Sequence, residues 1–169
     1  MNPHYTIIGN YAFFWKGCLS QWWPSPYEFK EVTFNRAEQG MMYHKALLFN
    51  DTKRAKMILR SNSPKEQQYF GRQVTPFDED IWNEHARKIV YRNNLAKFRQ
   101  NPELRKILFE THPHKLVEAS PFDAIWGIKR AVDFPKITDK STWRGTNWLG
   151  RVLTKVRVTL MEEFNENSR

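Results

Sequence analysis

Two carboxylates and one indole occupy positions in this sequence where they could do chemistry: Glu38, Trp82 and Asp123. Glu38 lies between Ala37 and an apolar run of helical spacing. At a helix start facing a cleft, its carboxylate would be desolvated and its proton affinity tuned. The same residue also fits a purely structural task, since Asn35 followed three residues later by Glu38 is a capping-box pattern. Asp123 stands between Ser120-Pro121-Phe122 and Ala124-Ile125-Trp126-Gly127, a carboxylate at a turn beside aromatics. It reads either as a cap or as a group that stabilises the positive charge that develops on a sugar during glycosidic cleavage. Trp82 reads either as the head of a core stripe or as a flat platform for a nucleobase, where stacking contributes roughly 1–3 kcal/mol.

Other chemistries lose support. His112 and His114 straddle Pro113, yet with His44 and His85 they form no helix-borne HExxH pattern, and no cysteine pair accompanies them, so no metal site is expected. The GxSxG elbow, the Walker loop and the GxGxxG fingerprint are all absent. Cys18 is the single cysteine; it cannot form an internal disulfide and reads as a small buried side chain. Basic clusters such as Lys53-Arg54, Arg87-Lys88 and Arg151 to Arg157 suit solvated helix faces. Lys129-Arg130 is better placed, because it follows the aromatic Ile125-Trp126-Gly127-Ile128 segment and could hold phosphate beside a stacked base.

The elements that must position these residues follow from spacing and punctuation. Short extended pieces are expected at Tyr11 to Trp15 and Phe29 to Phe34, flanking a turn-rich stretch from Leu19 to Tyr27. Asn35 is expected to cap a helix running to about Phe49, a short helix follows Asp51, and another starts after Ser63 with Pro64 in its first turn. Asp78 caps a long helix from Glu79 to about Gln100, along which Trp82, Ala86, Ile89, Val90, Asn93 and Ala96 recur at helical spacing. Asn101-Pro102 opens the next helix, His112-Pro113 stops it, and Lys115 to Ala119 reads as a short strand. A last helix from about Asn147 to Phe164 carries Leu149, Val152, Leu153, Val156 and Leu160 on one stripe. Between Asp123 and Asn147 lies a long aromatic and glycine-containing loop, of the kind that is often functional.

The 169 residues suit one domain, 1–169, with no repeat or linker. Seven Trp, twelve Phe and six Tyr imply an aromatic core and cleft suited to flat ligands. A formal charge of +9 favours polyanionic partners. No apolar run approaches the roughly 20 residues of a membrane span, and Met1 to Asn10 lacks a secretory apolar core, so a cytoplasmic chain with no membrane partner is expected.

Ordered pieces throughout the chain, rather than one motif, carry a family likeness. They are Phe13-Phe14-Trp15, Leu19-Ser-Gln-Trp-Trp-Pro-Ser-Pro-Tyr27, Ala37-Glu38-Gln39-Gly40-Met41-Met42, Lys45-Ala46 and Phe49-Asn50-Asp51. They continue in order with Gly71-Arg72-Gln73-Val74, Phe77-Asp78, Trp82, Leu116 to Pro121, Asp123-Ala-Ile-Trp-Gly127 and Gly145-Thr-Asn-Trp-Leu-Gly150. The chain thereby resembles the NADAR family of YbiA-like N-glycosidases. The resemblance implies an α+β, mostly helical single domain with a few short strands, and cleavage of N-glycosides of ADP-ribose or ribose phosphates. It places the family's functional glutamate, tryptophan and aspartate at Glu38, Trp82 and Asp123. The chain departs from the family after Trp126-Gly127, where Ile128-Lys129-Arg130 replaces a more common glycine-containing or acidic turn.

With those residues in place, a base is expected to stack on Trp82 with Trp126 or Trp23 as a second wall, while Arg72 and Lys129 or Arg130 bind phosphate. One of Glu38 and Asp123 stabilises the oxocarbenium-like sugar or activates water, and the other orients substrate or assists the leaving base. No cofactor is expected. The basic charge favours ADP-ribosylated guanine in DNA over ribosylamine-phosphate intermediates of riboflavin biosynthesis. The rival of another class is a non-catalytic nucleic-acid-binding module using the same surface.

Overall fold

The structure is a computed structural model, and it describes residues 3–166. The described residues form six α-helices and five short strands, an α+β and mostly helical arrangement. The chain divides into two compact units, Gln21–Asn101 and the combination of Met1–Ser20 with Pro102–Arg169. No helix among the described residues is long and apolar enough to cross a membrane.

In the terminal unit, β1 (Thr6–Ile8), β2 (Tyr11–Phe14) and β5 (Lys115–Glu118) form a sheet in the order β1-β2-β5. β1 pairs antiparallel with β2, and β2 pairs parallel with β5, with Ala12 opposite Leu116. Phe13, Val117, Ala119, Ile128 and Ile137 are buried together on this sheet. Alongside α5 (Pro102–Glu110), α6 (Trp148–Glu166) buries Leu149, Val152, Leu153, Val156 and Leu160, the stripe expected from spacing. Cys18 is fully buried.

The central unit holds a hairpin, β3 (Tyr27–Phe29) and β4 (Val32–Phe34), and four helices. These are α1 (Ala37–Leu48), α2 (Thr52–Arg60), α3 (Pro64–Arg72) and α4 (Glu79–Gln100). Asp78 caps its helix as read from sequence, and Asp51 and Ser63, each expected only to precede a helix, are caps as well. Asp51 accepts from the Arg54 amide, Ser63 from Glu66, and Asp78 from Ile81, each supplying an acceptor that the first helical turn lacks.

Three expectations are corrected. Phe29 to Phe34 is not one strand: Lys30 and Glu31 both take positive φ, 52° and 63°, and fold it into a two-residue hairpin turn. Such turns usually take Asn-Gly or Asp-Gly at these positions, so the sequence hides it. β1 lies within Met1 to Asn10, where no strand was expected. Asn35 does not cap α1: the N-cap residue is Arg36, which makes no side-chain cap. The Asn35 side chain instead donates to the Ser61 carbonyl and accepts from Gln67.

Candidate active site

The residue next to Glu38 performs the structural task that spacing assigned to Glu38. Gln39, 2% exposed, accepts from the Asn35 backbone amide at 2.7 Å and donates to the carbonyls of Ile58, Leu59 and Ser61. The Asn35 donor of the expected capping box is thus already satisfied. Glu38 itself sits in the first turn of α1, 4% exposed, with its backbone amide donating to the Gln21 carbonyl at 2.9 Å. A buried carboxylate without that capping duty is the arrangement that a catalytic reading requires and a capping reading does not.

Two turns along α1, on the same face, stands Lys45. Its ammonium lies 4.6 Å from the centre of the Phe77 ring and 5.2 Å from that of Trp82. Burial, with the Arg72 guanidinium nearby, holds its proton affinity below the ordinary lysine value; the Glu38 carboxylate works in the opposite direction. Glu38 and Arg72 are therefore both within electrostatic reach of this ammonium. Arg72 arrives there because α3 ends close against α1: a Cβ on Gly71 would run into the Met42 side chain and force it to move. Phe77 and Trp82 follow from the α3–α4 connection, which Asp51 fastens by accepting from the Thr75 amide at 3.0 Å. Phe77 also packs on Phe49, with ring centres 5.2 Å apart.

The central unit thus gathers three of the expected residues, Glu38, Arg72 and Trp82, around a lysine. Sequence reading passed over Lys45 as one more residue on a helical face. Its seven-residue spacing from Glu38 was the available signal. Trp82 is half-buried, and its cationic neighbour occupies one face of the indole, an attraction worth about 0.5–2 kcal/mol. Trp23 lies in the turn-rich segment of this unit, 38% exposed, with its carbonyl accepting from Ser25 Oγ.

Asp123, Trp126, Lys129 and Arg130 belong to the long loop of the terminal unit. Ser120 Oγ accepts from the Phe122 and Asp123 amides, at 3.3 and 3.2 Å. Asp123 Oδ1 in turn accepts from the Ile125 and Trp126 amides, at 2.8 and 2.7 Å. One carboxylate oxygen is therefore committed to shaping its own turn, while Oδ2 accepts no hydrogen bond from the described residues. The loop then closes on itself, Thr146 donating to Ala124, Asn147 to Gly127 and Arg144 to Ile128. Gly145 is required there, because a Cβ would collide with the carbonyls of Gly127 and Ala124. Trp126 sets its ring edge-on to Trp148, with centroids 5.5 Å apart. Lys129 is exposed with a φ of 50°, and Arg130 donates from Nε to the Thr142 carbonyl while lying over the Phe134 ring. Among the described residues, no group of three or more His, Cys, Asp or Glu side chains could hold a metal ion.

Comparison with known proteins points one way. The family model described as the NADAR domain matches residues 13–161, a span that covers parts of both units. N-glycosidase R617 of Acanthamoeba polyphaga mimivirus is 43% identical over 150 residues, 82% of this chain and 85% of that protein. Protein irg-1 of Caenorhabditis elegans is 38% identical over 174 residues, 92% of this chain and 82% of that protein. The solved structure of Escherichia coli YbiA matches with a TM-score of 0.77 at 26% identity, covering 97% of this chain and 92% of that one.

Proposed function

The chain belongs to the NADAR family, and from that premise we propose that it is an N-glycosidase acting on ADP-ribose or ribose-phosphate conjugates, with ADP-ribosylated guanine in DNA as the favoured substrate. The observation that carries this reading is Glu38: a carboxylate 4% exposed, relieved of the cap it was expected to form, within electrostatic reach of a lysine set on two aromatic rings. The family match spans both units, which supports treating residues 1–169 as one N-glycosidase domain.

Cleavage of the bond between ribose C1′ and a base nitrogen builds positive charge on the sugar and negative charge on the departing base. Glu38 stabilises the first and takes a proton from the attacking water, whose oxygen bonds to C1′ as the base leaves. Lys45 supplies a proton to the base nitrogen; a lysine whose proton is held less firmly than usual is better suited to this near neutral pH. Arg72, exposed at the end of α3, meets substrate phosphate. A base packs against the Trp82 indole with its ribose-linked nitrogen turned toward the Lys45 ammonium, and Trp126 or Trp23 is a further aromatic wall. Asp123, through Oδ2, orients the substrate, and Lys129 and Arg130 supply further positive charge for phosphate.

The test is release of ADP-ribose, followed by mass spectrometry, from a guanine-ADP-ribosylated DNA oligonucleotide. Release by the wild-type chain supports the favoured substrate. Release only from ribosylamine phosphates of riboflavin biosynthesis moves the same chemistry to a small metabolite. Binding to either substrate class without turnover favours the non-catalytic module.

A further inference from the structure

A cavity of about 500 Å³ opens in the terminal unit, lined by Lys129, Arg130, Arg144, Asp133, Phe134 and Pro121 among others. Three cations against one carboxylate leave it positive. Its walls are held by backbone as well as by side chains. The Lys129 amide donates to the Asp123 carbonyl at 3.0 Å and the Arg144 amide to the Ile128 carbonyl at 2.9 Å. The Arg130 guanidinium is aimed in advance by the Thr142 carbonyl and by the Phe134 ring, 4.4 Å from its centre.

From Pro121 at the cavity wall the chain passes directly to Phe122, which is 79% exposed. Its ring meets that of Trp15, itself 38% exposed, with centres 5.9 Å apart, and the Lys16 ammonium stands 4.7 Å from the centre of the Trp15 ring. Phenylalanine is ordinarily among the most buried residues, so a ring held this far into water next to a second ring and a cation calls for a partner. A basic cavity leading to exposed aromatic faces combines the two features by which proteins hold unpaired nucleic acid: cations track the phosphates, and rings receive the bases.

We propose that this face of the terminal unit binds single-stranded nucleic acid, with strand phosphates in the cavity against Lys129, Arg130 and Arg144 and unpaired bases on Phe122 and Trp15. A duplex keeps its base faces stacked inside, so the exposed rings select for single strands. The surface cleaves nothing itself; because it shares Lys129 and Arg130 with the phosphate contacts proposed above, it rests on that reading and extends it to the strand around the cleaved bond.

The experiment is fluorescence anisotropy of labelled single strands, one DNA and one RNA, with the 169-residue Glu38→Gln protein, in which turnover is slowed. The expected result is binding of single strands, of either sugar, in preference to a duplex of the same sequence. Phe122→Ala weakens it about 5- to 150-fold, the equivalent of removing one base stack, and leaves the salt dependence unchanged. The double variant Lys129→Ala with Arg144→Ala makes the dependence on salt shallower, by about 0.7 in logarithmic slope for each phosphate no longer neutralised. Thermal melting of each variant confirms that the fold is kept. Equal or tighter binding of duplex, or an affinity that none of these variants changes, overturns the proposal. So does full displacement of the strand by ADP at concentrations near the protein's own, which assigns the cavity to a small diphosphate. Any of these outcomes leaves the hydrolysis assay standing, since that assay reads bond cleavage and not strand binding.

Discussion

Glu38 and Asp123 stand in sequence contexts that fit a cap equally well, and the two regions around them resolve the ambiguity in opposite ways. At the start of α1 the backbone is satisfied by a neighbour, Gln39, which connects Asn35 to the end of α2 and leaves Glu38 outside that network. In the 120s loop the acid itself satisfies the backbone: Asp123 Oδ1 receives two amides and fixes the turn. Glu38 is thus not committed to this cap, whereas Asp123, which builds its own loop, keeps a single oxygen for chemistry. The contrast shows that a capping pattern read from spacing identifies the neighbourhood of a cap more securely than the residue that makes it.

The comparison is sharpened most by Gln39→Ala. This change leaves the Asn35 amide and the Leu59 carbonyl short of a partner, while the Ile58 carbonyl keeps the Ser61 amide; each unsatisfied group costs about 1–3 kcal/mol. With Gln67 still donating to Ser61, a loss of roughly 3 kcal/mol is expected in urea unfolding. A loss below about 1 kcal/mol would mean that Gln39 does not carry the cap and that Glu38 shares it.

Asp123 comes next. Asp123→Ala removes two hydrogen bonds to backbone amides, a destabilisation of about 1–3 kcal/mol. Asp123→Asn keeps an amide oxygen to accept both and is expected to melt close to wild type while losing activity. If both variants melt alike, the turn does not depend on Oδ1; if Asn retains full activity, Oδ2 plays no part in the reaction.

A smaller effect concerns Lys45, whose titration can be followed by NMR of its side-chain nitrogen. Arg72 depresses its proton affinity and Glu38 supports it. Arg72→Gln should therefore move the titration to higher pH and Glu38→Gln to lower pH. Activity that needs the protonated amine falls as pH rises through that lowered pKa, so Arg72→Gln should carry the alkaline limb of the rate profile upward with it. Shifts in the same direction for both variants would break the cluster apart.

Helices announced themselves in this sequence where a side chain and a period agreed. Asp78 caps as expected, helices start after Asp51 and Ser63 as expected, and the Leu149 to Leu160 stripe is buried as expected. What spacing missed depended on partners distant in sequence. The Lys30-Glu31 turn lacks the glycine or asparagine that would mark it, and β1 gains its place from pairing with β2. Asn35 is drawn away from α1 by the α2–α3 connection. At the site, the residue types of Glu38, Trp82 and Asp123 were legible, but Lys45 becomes significant only when Arg72, Phe77 and Trp82 are brought around it.

The most direct test of the account is the single-turnover rate of Glu38→Gln beside wild type on the substrate that the wild-type chain cleaves, with a thermal melt of both. The account predicts a rate lower by about 10²–10⁴-fold, the range for removal of an acid–base group, with a melting temperature close to wild type. A variant that folds and turns over at the wild-type rate would contradict it, and would return Glu38 to the structural role that its spacing first suggested.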